Sequence, residues 1–193
     1  PKRLIWHNAA SMAQPTEPKP VKLICGMISA NEEIFDAAIE RMIGDFGSVD
    51  LASDIIPFDL TEYYIDEMGS SLWKKFVAFE PLTGPQVLCE GKHRTNEIEA
   101  ELAALFPDFS PRPINLDIGY VALSKLVLAS MKDFSHRVYL GDGVYGEVTL
   151  LFRQGRWEPL EWTFPDFALG RYDDFLSAAR NRLREQLQQE MDE

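Results

Sequence analysis

The stretch that most narrows what this chain can fold into is Asn115–Thr149, NLDIGYVALSKLVLASMKDFSHRVYLGDGVYGEVT. Short apolar runs alternate in it with turn residues, the pattern of successive strands joined by tight connections. Set into those runs are Asp117, Lys125, Lys132, Asp133, His136, Arg137, Tyr139, Tyr145 and Glu147. Polar groups in strand sequence cost free energy on burial unless they are paired or used. The stretch is therefore either an internal ion-pair and hydrogen-bond network or a site.

Residues 136–153 read as a hairpin. Asp142-Gly143 alone suits a two-residue type I′ turn. That register pairs Arg137 with Val148 and mixes polar and apolar side chains on both faces. A three-residue loop, Gly141-Asp142-Gly143, instead pairs Leu140 with Val144, Val138 with Gly146 and His136 with Val148. Tyr139 then faces Tyr145, Arg137 faces Glu147, and one face becomes apolar, so this register is expected.

Upstream, Val21–Ser29 is an apolar run read as a strand. Asn31, followed by Glu32 and Glu33, starts a helix that Gly47 ends. Strands are expected at 49–58, 72–79 and 114–122, a short helix or ordered loop at 59–69, and a second helix at 95–106. The resulting βαββαβ order is ferredoxin-like. A further strand at 126–131 and a C-terminal helix at 171–189 complete the pattern. The expected fold is α+β, a largely antiparallel ferredoxin-like sheet extended by a C-terminal hairpin, with helices mainly on one face. Residues 1–20, proline-rich toward their end, form a flexible lead-in, Met12 reads as a translation start, and 21–189 form a single domain.

A net charge of -12 repels phosphate backbones and argues against nucleic acid as a partner. No apolar run is long enough to span a membrane. Cys25 and Cys89 have neither metal nor disulfide spacing, which points to reduced thiols and a cytoplasmic setting. There is no phosphate-binding P-loop, no glycine-rich dinucleotide fingerprint and no nucleophile elbow, and no motif names a cofactor.

Two uses of the polar stretch are open. In one, Arg137, Lys125 and Lys132 hold a small anionic ligand, phosphorylated or nucleotide in kind, with Tyr139 and Tyr145 stacking on it or donating hydrogen bonds. In the other, His136 is the acid or base of a hydrolase or transferase, and Asp117 and Glu147 orient it or hold a metal, although no ligand spacing supports a metal. Arg137 with Glu147 is equally explained as a cross-strand ion pair on a half-exposed sheet, and His136 as a structural histidine. A non-catalytic assembly protein, acting as a homodimer, is the third reading.

The segments KPVKL (19–23), PFDLTEYYIDEMG (57–69), TNEIE (95–99), NLDIGY (115–120), SKLVLAS-KD-SHRVYL (124–140), YGEVTL (145–150) and WTFPDF (162–167) together resemble the bacterial family known as domain of unknown function 4416. Ile118 departs from the family pattern, which has proline there. The resemblance supplies a family and no chemistry.

Overall fold

The computed structural model describes residues 14–60, 64–69, 71–109 and 111–192. Residues 14–20 have no regular secondary structure and are largely exposed; the rest of the predicted lead-in, with Met12, lies outside the described residues. The first strand, β1 (Val21–Ser29), is buried at every position. A strand apolar on both faces must be covered on both, and the architecture follows from that.

The other elements are α1 (Glu32–Phe46), β2 (Val49–Ala52), β3 (Ile56–Phe58), α2 (Ile65–Met68), β4 (Leu72–Thr83), α3 (Leu88–Leu105), β5 (Asn115–Ala122), β6 (Lys125–Ser130), β7 (Val138–Gly141), β8 (Val144–Arg153), β9 (Arg156–Pro159), α4 (Pro165–Ala168) and α5 (Asp173–Asp192). They give an α+β protein whose antiparallel sheet runs β2-β4-β1-β5-β6-β8-β7, with β3 also on β4 and β9 also on β8.

On one face, Leu23, Cys25 and Met27 pack against Phe35 and Met42 of α1 and Ile98 and Leu102 of α3. On the other, Ile24, Phe76, Val121 and Leu126 meet Phe167, Tyr172 and the Phe175–Ala179 turn of α5. Helices therefore cover both faces, not mainly one. The physical reason is the unbroken apolar run of β1, whose even positions need a cover as much as its odd ones. Gly26 is part of that cover: a Cβ there would lie 2.8 Å from the Phe76 ring, which stacks 5.3 Å from Phe175.

Local signals set several boundaries. The Asn31 side chain accepts from the Glu33 amide at 3.0 Å, and Gly47, at φ 90°, donates to the Ile43 carbonyl. The predicted strand at 49–58 is broken into β2 and β3, with Ser53 bonding across to Phe76 in the gap. The helix predicted from Thr95 begins seven residues earlier, at Leu88, after a 3₁₀ turn with Pro85 in its first position. Thr95 is buried mid-helix and donates to the Lys92 carbonyl at 3.0 Å.

The hairpin keeps Val138↔Gly146 and Tyr139↔Tyr145 but closes with Gly141↔Val144, not Leu140↔Val144. Asp142 and Gly143, at φ 49° and 77°, form the two-residue turn, and a bulge at Leu140 absorbs the extra residue. The bulge gives the face separation that the three-residue loop was invoked to provide. His136 lies before β7 and is outside the ladder.

Candidate functional site

The ladder between β5 and β6 runs only from Ala122↔Lys125 to Gly119↔Leu128. Beyond it β5 stays with β1 as far as Asn115, and β6 stays with β8 as far as Ser130. The two strands part like a fork. Gly119 sits at the crotch, where a Cβ would lie 2.5 Å from both the Val127 carbonyl oxygen and Leu128 Cδ2.

Splitting a sheet strands backbone groups that must find partners. At Leu116 they find α3. The amide donates to Glu99 Oε1 at 2.7 Å, and the carbonyl accepts from Lys92 Nζ at 2.9 Å. Lys92 and Glu99, at i and i+7, share one face of the helix and stand in for the strand that has turned away. Gly91 lies close to β5, where a Cβ would stand in ordinary contact with Ile118 at 3.5 Å. Ile118, fully buried, lies opposite Cys25 of β1.

The fork opens onto a cavity of about 710 Å³. Asn115 and Asp117 come from β5, Leu128–Ser130 from β6, and Lys92, Asn96 and Glu99 from α3. Lys74, Glu147, the 131–134 turn and the Phe164–Phe167 segment complete the walls with Phe58 and Tyr64.

Three ion pairs brace this lining. Arg137 Nε donates to Glu147 Oε2 at 2.7 Å, and its Nη1 reaches Ser130 Oγ at 2.8 Å and the Lys132 carbonyl at 2.9 Å. Both side chains are sealed, at 12% and 2% exposure, so this is a buried brace and not a half-exposed surface pair. Lys74 meets Asp166 at 2.7 Å inside a ring of aromatics, with Nζ 4.4 Å from the Phe167 centroid and 4.8 Å from that of Tyr172. Tyr172 also donates to Asp166 at 2.9 Å; burial, with Asp166 beside it, pushes its hydroxyl pKa upward. Arg112 pairs with Glu99 at 3.0 Å and with Asn115 Oδ1. Burial raises the Glu99 carboxyl above its ordinary value, against the opposing pull of Lys92 and Arg112.

Of the residues singled out from sequence, Asp117, Glu147, Arg137, Lys132 and Asp133 line the cavity. His136 does not. It lies behind Glu147, with Nε2 3.2 Å from Oε2, and its ring stacks on Trp162 at 5.3 Å and 7°. Tyr139 and Tyr145 contact each other at 5.3 Å on the hairpin, away from the cavity, and Lys125 sits at the opposite end of β6 against Ala122 and Leu151. Sequence reasoning missed Lys92, Asn96, Glu99, Lys74, Arg112 and Asp166. Two of these carried a signal: Lys92 falls within the apolar stripe of α3, and Lys74 alternates with Leu72 and Phe76 on an apolar strand face. Among the described residues no group of three or more His, Cys, Asp or Glu could hold a metal, and no helix is long and apolar enough to cross a membrane.

An α+β protein with an ion-pair-braced cleft between two parted strands is the class that fold and site define. A family model described as Domain of unknown function (DUF4416) matches residues 19–183, and the chain belongs to that family. No curated protein and no solved structure matches the chain.

Proposed function

We propose that this protein binds a small molecule bearing an anionic group in the fork cavity. One observation carries the reading: polar side chains from β5, α3 and the turn after β6 converge on one concave, largely apolar space of about 710 Å³. That is the anatomy of a small-molecule site. Arg137 shapes the wall through its Glu147 brace, and Lys92, Asn96 and Asp117 are the groups offered to the ligand. Catalysis by His136 draws no comparable support, because the ring is turned to Glu147 and Trp162. A ferredoxin-like unit fits the β2-β4-β1-β5 order, with residues 21–189 as one cytoplasmic domain. Assembly as a homodimer has its own observation, the edge strand β7, where Val138 is 68% and Tyr139 60% exposed.

The test is a thermal-shift screen against organic acids, amino acids, phosphorylated metabolites and nucleotides. A ligand at about 100 times its dissociation constant stabilises the fold by roughly 2.7 kcal/mol, a rise of roughly 5–10 °C at this size. The hit should be lost in Asn96→Leu, a variant that removes no described hydrogen bond. No shift from any class would overturn the proposal.

A further inference from the structure

The charges around the cavity do not add up to a simple anion site. Lys74 is closed by Asp166, Arg112 by Glu99 and Arg137 by Glu147, each at 3.0 Å or less. Once these are set aside, together with Lys132 and Asp133, which are exposed on the turn after β6, the interior retains one ammonium and one carboxylate. Lys92, only 6% exposed, makes a single described hydrogen bond, to the Leu116 carbonyl, and no ion pair among the described residues. Asp117 accepts only from Asn115 Nδ2, at 2.8 Å, and it too has no ion-pair partner among the described residues. Both line the same cavity, and Lys92 bonds to the carbonyl of Leu116, the residue before Asp117. They form no ion pair with each other.

Such an arrangement disfavours a ligand of one sign. A monoanion on Lys92 would share the cavity with the Asp117 carboxylate, and a polyanion would do so at greater cost, because a buried charge must be matched. We infer that the ligand is a zwitterion of the α-amino-acid class, its carboxylate held by Lys92 and the Asn96 amide and its ammonium by Asp117. The ligand's apolar side chain lies on the wall formed by Phe58, Phe134, Phe164 and Phe167. The space is ample for the largest aromatic amino acid. This inference rests on the ligand-binding reading above and narrows its substrate class.

The experiment is calorimetry on the full chain at neutral pH with the standard α-amino acids. For the tightest binder, the single-charge analogues follow: the amide, which keeps only the ammonium, and the deaminated acid, which keeps only the carboxylate. Inorganic phosphate is the control anion. The amino acid should bind roughly 30-fold or more tightly than either analogue, the loss that follows from leaving a buried charge unmatched. Lys92→Met and Asn96→Leu should weaken the amino acid and the deaminated acid alike and leave the amide unchanged; Asp117→Asn should do the reverse. Asn96→Leu keeps the test alive should Lys92→Met fail to fold.

Equal affinity for the amino acid and the deaminated acid would overturn the zwitterion while leaving the cleft a ligand site. So would binding of phosphate or organic acids without any amino acid. Silence from every compound would overturn both readings.

Discussion

Lys22 and Lys92 are both sealed against the same sheet, yet they meet different surroundings. Lys22, with no exposed surface, points into three acceptors: Asp50 at 2.6 Å, Gln186 Oε1 at 2.9 Å and the Glu80 carbonyl at 3.2 Å. Every proton of its ammonium has a destination, and the cluster ties β1 to β2, β4 and α5. Lys92 has one described acceptor and an open cavity beside it. Burial alone says little about use. The count of matched protons separates a lysine that holds the fold from one that is held ready.

The largest effect should come from breaking the closed cluster. Lys22→Met leaves Asp50, 16% exposed, with Arg182 at 3.6 Å as its remaining cation and an Oδ1 that has no partner among the described residues, and should cost about 3 kcal/mol by chemical denaturation. Burial lowers the pKa of Lys22 despite Asp50. A lowered amine contributes stability above its unfolded value, lost as pH falls through the folded one, so at neutral pH the charged form is disfavoured. The Lys22→Met/Asp50→Leu pair should therefore recover most of the single-variant loss. If the double variant stays as unstable as the single one, the cluster is not the closed ion pair described here.

Gly119→Ala sharpens the contrast at the fork. Its Cβ would press on the Val127 carbonyl, which is backbone and cannot yield easily, so a loss of about 2 kcal/mol is expected, with the cavity distorted. Lys92→Met should cost less, about 1–2 kcal/mol, the worth of one charged hydrogen bond. Should it cost as much as Lys22→Met, the division between closed and open lysines fails. The smallest effect is on pH dependence. Because burial holds Glu99 above its unfolded value, its contribution is fully present below that value and is lost as pH rises through the raised folded one. Glu99→Gln should flatten this part of the stability profile between mildly acidic and neutral pH, and an unchanged profile would count against the burial of that carboxyl.

What was legible in the sequence was local. The run VKLICGMIS, the Asn31 cap and the pairing of Tyr139 with Tyr145 are written in neighbouring residues, and the folded chain reproduces them. The Arg137–Glu147 pair was also readable, because a hairpin brings partners together through a short turn. Its burial was not, since the segments around it at 130–134 and 162–167 come from different parts of the chain. His136 lies outside the cavity for the same reason: its ring stacks on Trp162, distant in sequence. The fork left no local trace. It depends on two strands parting where a helix supplies substitutes, and periodicity along one element cannot register a neighbour that is absent.

Leu116 belongs to the sheet by position and to a helix by hydrogen bonding. In an ordinary strand interior, an amide proton exchanges with solvent deuterium when the neighbouring strand leaves. Here it exchanges when α3 lifts away, whatever β6 is doing. One residue in the middle of a sheet thus serves as a clock for the docking of a helix, and a compound lodged between Lys92 and Asp117 would slow it.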